Sequence, residues 1–168
     1  MPGIQLPQCK GRGGWPAGRT GIPAAALLVL STPVATWWLV GDQSTVPASA
    51  EPDYAIRPWN ISPAAAHTAG LASLLLATAM TVLLARATAL SRLDRRWWAV
   101  LTPLLVAGIL AGAGWRVMTA GGIGANIGAG LYVMFFGPIF AGLVTWSVAA
   151  TAYLIAHPAR RPAPMRRR

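Results

Sequence analysis

The sequence predicts an all-α fold: an integral membrane bundle of four transmembrane helices with both termini cytoplasmic. Three observations carry that prediction. The 168 residues are 55% hydrophobic and only 11% charged, with a mean hydropathy of +0.51, too apolar for a soluble domain of this size. The apolar residues gather into four runs, each long enough to cross the ~30 Å hydrocarbon core as a helix. The charges lie between and beyond those runs, and their asymmetry sets the orientation.

One domain and two tails follow. Residues 1–20 are rich in Gly and Pro and carry Lys10, Arg12 and Arg19, which reads as a disordered basic cytoplasmic tail. The four-helix transmembrane domain covers 21–156, with spans at about 21–40, 64–85, 97–114 and 131–156. Outer loops are expected at 41–63 and 115–130, an inner loop at 86–96, and a second basic cytoplasmic tail at 157–168.

The first span begins with Pro23 in its first turn, where a missing N–H costs little. Pro33 lies mid-span after Ser31 and Thr32 and predicts a kink, with the two hydroxyls placed to satisfy freed carbonyls. Trp37 and Trp38 close the span at an interface. The run is about 20 residues long and Val40-Gly-Asp-Gln lacks a convincing small-residue cleavage site, which favours a retained span over a signal peptide; the alternative is cleavage near Ala48 or Ala50. The loop that follows holds Asp42, Glu51 and Asp53, three of the four acids. Its prolines keep it extended, and Tyr54 and Trp59 fold it back onto the membrane surface.

The second span carries a row of small residues at every fourth position: Ala69, Ser73, Ala77, Thr81 and Ala85. On a helix such a row lets a neighbour pack closely. Arg86 ends the span, Arg92, Arg95 and Arg96 make a basic turn with Asp94, and Ser91-Arg-Leu-Asp94 reads as a capping box. The third span starts at Trp97 and Trp98 and contains Gly108 and Gly112 four apart. Trp115 and Arg116 mark its far interface. The fourth span holds another small row, Gly137, Ala141, Thr145 and Ala149, and a bend at Pro138.

Between the last two spans lies Gly121-Gly-Ile-Gly-Ala-Asn-Ile-Gly-Ala-Gly130, read as an interfacial hairpin or shallow re-entrant turn. A fourth helix counted from Ile123 would approach ~50 Å and overrun the hydrocarbon core without strong tilt. Over residues 21–156, and through this glycine segment, the chain resembles the small, alanine-rich, four-span membrane proteins of high-GC actinobacteria. That resemblance implies a multi-pass protein of the bacterial plasma membrane and brings no catalytic residues with it.

Orientation rests on the basic residues. With both ends inside, the tails and the 86–96 loop hold all but Arg57 and Arg116 of the 14, as the positive-inside rule requires. Tryptophan agrees, since only Trp146 falls away from an expected interface. Arg92, Arg95, Arg96, Arg160, Arg161, Arg166, Arg167 and Arg168 are then expected at anionic lipid headgroups. A nucleic-acid partner is not expected, because the arginine tail lacks interleaved aromatics and any fold to read bases.

The candidate polar site is His67, Arg116 and Asn126, all on the outer side. Arg116 with backbone N–H groups freed by glycine makes an anion site on one reading; on the other, Arg116 snorkels and Asn126 serves the turn. On one reading His67 titrates, or binds a metal with Asp53 or Glu51 folded over it; on the other it sits satisfied at the interface. No metal or cofactor is expected, and the single Cys9 excludes an internal disulfide. An enzyme is not expected either: Ser31, Ser73 and Ser147 have no base at their depth. No ionisable residue lies mid-span, where proton-coupled transporters need one. Two functions stay open. The first is a non-enzymatic scaffold or accessory subunit whose small-residue rows make close helix contacts, within one chain or between chains, with itself or another membrane protein. The second is a small oligomeric channel or transporter lined by Thr36, Thr78, Thr81 and Thr145.

Overall fold

The computed structural model describes residues 21–45 and 53–157. The described part is helical: α1 Gly21–Val40, α2 Pro63–Ala89, a single 3-10 turn Arg95–Trp97, α3 Trp98–Thr119 and α4 Ala125–Ala156. All four α-helices are long and apolar enough to cross a membrane, the pattern of a multi-pass membrane protein. The end where α1 and α3 finish is called the loop end, and the opposite one the tail end.

Local chemistry explains each boundary. Gly41 stops α1 by adopting φ +71°, and its N–H donates to the Trp38 carbonyl; glycine takes that conformation without a Cβ penalty. Ser62 caps α2, its Oγ accepting from Ala65 N–H at 3.3 Å, with Pro63 in the first turn where its missing donor is harmless. The far end of α2 runs past the expected Ala85 to Ala89. Ser91 N–H then donates to Thr88 O and Arg92 N–H to Ala87 O, the paired bonds of a Schellman ending. Ser91 supplies the left-handed residue at φ 55°, so it is not the cap of the next helix. Asp94 is that cap, accepting Arg96 N–H at 3.0 Å.

The glycine segment differs most from expectation. Helix α3 continues to Thr119, and α4 starts at Ala125 from Gly124 at φ +76°. Only residues 120–124 lie outside helix, so Gly128 and Gly130 belong to α4, and neither a re-entrant turn nor a long interfacial hairpin forms. Helical glycine costs ~1 kcal/mol against alanine. In a membrane, a non-helical backbone leaves polar groups unsatisfied at several kcal/mol each, so the helix wins. The resulting α4 of 32 residues is about 48 Å long at 1.5 Å per residue.

Packing follows the order α2–α1–α3–α4: α1 lies against both α2 and α3, and α4 against α3. This is an open row rather than a closed ring. Inside the molecule, 39% of the apolar stretch of α3 is buried and 22% of α1, against 11% of α2 and 6% of α4. The inner pair α1–α3 runs parallel and crosses at the two glycines. Gly108 faces Thr32 and Pro33, while Gly112 lies against the Pro33 carbonyl oxygen and Thr36. On the other side of α1, Gly70 of α2 receives the Trp38 indole.

One proline organises the α3–α4 contact. Pro103 in α3 cannot donate to the carbonyl four residues earlier, that of Ala99. Trp146 Nε1–H of α4 donates to that carbonyl at 3.2 Å. Ser147 Oγ–H reaches the next one, Val100 O, at 3.3 Å, and Ser147 is only 2% exposed. Trp146, the tryptophan expected away from an interface, thus sits beside Ala99, one residue from Trp98 and the tail-end aromatic layer. In α1 the hydroxyls of Ser31 and Thr32 both donate to Leu28 O, one residue before the carbonyl that Pro33 frees.

The small-residue rows divide. Gly108 and Gly112 sit in the α1–α3 crossing. Ser73 and Ala77 of α2 are half-buried, Ala77 against the tail-end core that holds Leu28, Leu84 and Trp97. Ala69, Ala141 and Thr145 are exposed, and Gly137 has only Val133 of its own helix within 4 Å. Within the chain, then, the α4 row packs on no neighbouring helix, and the face that meets α3 carries Tyr132 and Ser147.

Candidate polar site at the loop end

The loop end gathers most of the polar chemistry of the described residues. The segments on either side of residues 46–52 are strapped across the α3–α4 turn by main-chain bonds. Thr45 N–H donates to Gly121 O at 3.0 Å, Gly122 N–H to Asp53 O at 3.2 Å and Ile56 N–H to Met118 O at 2.9 Å. Ser44 Oγ accepts Gly121 N–H at 3.0 Å. Gly122 is buried, and a Cβ there would meet Thr45 Oγ1 at 2.9 Å, so the strap depends on a bare backbone at this point. Trp59 packs on Trp115 with ring centroids 5.1 Å apart.

The three expected site residues occupy this end but take three separate partners. His67 accepts the Trp38 indole N–H on Nδ1 at 3.1 Å, with the rings edge to face. That bond requires the tautomer protonated on Nε2, and it ties the start of α2 to the end of α1. Asn126 donates to Asp53 Oδ2 at 3.3 Å, so Asp53 meets Asn126 and not His67. Glu51, the other acid expected near His67, lies outside the described residues. Arg116, in the last turn of α3, donates from Nε to Trp37 O at 2.7 Å. Its guanidinium carbon stands 4.1 Å from the centroid of the Trp37 ring, within cation–π range.

Beside Arg116, Asp42 holds Ser44 through its Oδ1, which accepts both Ser44 N–H at 3.0 Å and Ser44 Oγ–H at 2.8 Å. The side-chain bond from Ser44 and then its backbone bond keep the Asp42 carboxyl below the ordinary aspartate value of 3.8; partial burial opposes them, and the Arg116 charge adds to the lowering. The anion site built from glycine N–H groups is not assembled, because Gly121 and Gly122 spend theirs on Ser44 and Asp53.

Elsewhere, Arg92, Arg95 and Arg96 are exposed together at the tail end. Arg160, Arg161, Arg166, Arg167 and Arg168 lie outside the described residues, as do residues 1–20 with Cys9. Among the described residues no cluster of three His, Cys, Asp or Glu is placed to hold a metal. The hydroxyls of Ser31 and Ser147 donate to backbone carbonyls. Of the channel-lining candidates, Thr36, Thr78 and Thr81 each donate to the carbonyl four residues earlier. Thr36 lies at the α1–α3 crossing, whereas Thr78, Thr81 and Thr145 are exposed, so the four line no common surface in one chain. An open apolar groove of about 350 Å³ runs beside Leu104, Ser147 and Thr151.

Sequence reasoning missed three contributors: Trp38 as the partner of His67, Trp37 as the platform for Arg116, and Ser44 as the strap hydroxyl. The signal available for the first two was adjacency, since an arginine and a histidine expected at the same interface as a Trp pair need partners there. No protein-family model matches the chain, no curated protein matches it, and no solved structure matches it.

Proposed function

We propose that the protein is a non-enzymatic scaffold or accessory subunit of a membrane complex, placed in the plasma membrane with both termini in the cytoplasm. The observation that carries this reading is the open helix row. Both end helices keep most of their surface for something outside the chain, and the exposed face of α4 carries the small residues Ala141 and Thr145 that allow close helix approach. The polar groups at the loop end support it from the other side: His67, Asn126 and Asp42 are engaged in holding the protein's own segments together. A channel would need several copies to bring Thr78, Thr81 and Thr145 onto one surface, and the hydroxyls of Thr78 and Thr81 already serve their own helix.

The test is affinity capture of tagged protein from native membranes in mild detergent, followed by intact-complex mass spectrometry. The scaffold reading expects a stoichiometric foreign membrane protein that is lost in the Ala141→Phe, Thr145→Phe double variant. A homo-oligomer without partners, with solute flux in liposomes above the empty-vesicle rate, would replace it by the channel reading.

A further inference from the structure

We infer that Arg116 forms a binding site for a single phosphate group, of a phospholipid headgroup or of a soluble phosphate ester, at the loop end between α1 and α3. This goes beyond the scaffold reading and does not depend on it. Guanidinium presents five N–H donors in a rigid fork that matches phosphate oxygens two at a time. Nε is spent on Trp37 O, and neither terminal nitrogen has an acceptor among the described residues. The head is not a free snorkelling group. One hydrogen bond and the face of Trp37 fix it, so little side-chain freedom is left to lose when a ligand arrives.

Its surroundings match the depth of a headgroup. Trp37, Trp59 and Trp115 lie in the same layer, and tryptophan settles at the level of headgroups. Among the described residues Asp42 is the acid whose charge reaches Arg116, and its Oδ1 is committed to Ser44, so within the described residues the guanidinium is partly balanced and not capped. The glycine N–H groups nearby are engaged in the strap and add nothing, which leaves recognition to the arginine fork and the aromatic wall.

The experiment is native mass spectrometry of the full chain in detergent. The probes are phosphatidylglycerol, phosphatidylcholine, a diglucosyl diacylglycerol of the same acyl chains, and inorganic phosphate. The proposal expects both phospholipids to be retained over the phosphate-free glycolipid, with Arg116→Gln lowering that retention about tenfold, the weight of one charge-assisted hydrogen bond. Arg116→Lys should recover only part of it, because an ammonium lacks the fork. Asp42→Asn should tighten binding severalfold by removing a like charge beside the phosphate. Retention unaffected by millimolar inorganic phosphate assigns the site to lipid; displacement by it assigns the site to a soluble ester. Equal retention of glycolipid and phospholipid by the wild-type chain overturns the proposal, as does retention in Arg116→Gln at the wild-type level. If Arg116→Gln does not fold, the wild-type headgroup comparison and Asp42→Asn decide.

Discussion

Replacing Gly112 by alanine tests whether α1 and α3 cross on bare backbone. A Cβ at this position runs into the Pro33 carbonyl oxygen, and it would stand 2.9 Å from Thr36 Cβ and 3.0 Å from Trp37 N. These atoms belong to or adjoin the backbone and cannot rotate away, so the helices must separate or shift. Forced overpacking costs about 1–3 kcal/mol, while exchanging glycine for alanine in a helix returns ~1 kcal/mol. Net destabilisation of about 0–2 kcal/mol follows from those two figures. Gly142→Ala supplies the reference: nothing lies within 4 Å of its Cβ position, so it shows the propensity gain alone. The difference between the two variants isolates the clash at about 1–3 kcal/mol. Gly108→Ala should fall between them, because its nearest obstacle at 3.2 Å is the Thr32 methyl group, a side-chain atom that can yield. The assay is equilibrium unfolding in mixed micelles of rising SDS fraction, followed by far-UV circular dichroism. Coincident transitions for Gly112→Ala and Gly142→Ala would refute the close crossing.

Three further outcomes are expected. Trp146→Phe should cost ~1 kcal/mol by leaving the Ala99 carbonyl without a donor, and that cost should vanish in Pro103→Ala, where residue 103 regains its N–H; the four-variant unfolding cycle reads the coupling. Ser91→Gly should stabilise the chain by ~1 kcal/mol, since a non-glycine residue pays about that much in the left-handed region, and the same micelle titration measures it. At the loop end, Asp42 has a lowered folded pKa, so its contribution to the strap is present above the ordinary aspartate value of 3.8 and is lost as pH falls through the still lower folded value. Amide exchange at Ser44 should therefore accelerate only below that range, and Ser44→Ala should move the onset upward.

The four helices were legible in the sequence because bilayer thickness imposes a length that any apolar run displays. The packing faces were not, for a physical reason. Lipid is as apolar as a neighbouring helix, so no contrast in hydrophobicity separates a buried face from a lipid-facing one. Small residues then mark where close packing is allowed, not where it happens: Gly108 and Gly112 meet α1, whereas the equally regular row through Ala141 and Thr145 faces outward. The start of α4 was misplaced because glycine density reads as a turn in water, yet the membrane favours any backbone that satisfies its own hydrogen bonds. At the loop end the polar residue types and their level were readable. Their pairing was not, because Gly121 and Gly122 act through main-chain N–H groups that carry no sequence signature.

The central claim is that α2 and α4 stand at opposite ends of an open row, each with a face left for a partner. The most direct measurement is a dipolar electron-resonance distance between spin labels at Leu75 and Ile139, both exposed, in a Cys9→Ser background diluted with unlabelled chain in lipid nanodiscs. Three interaxial steps of 8–10 Å each predict a distribution centred at roughly 20–30 Å. A dominant distance near ~10 Å, the spacing of helices in contact, would mean that the four helices close into a ring and that the account is wrong.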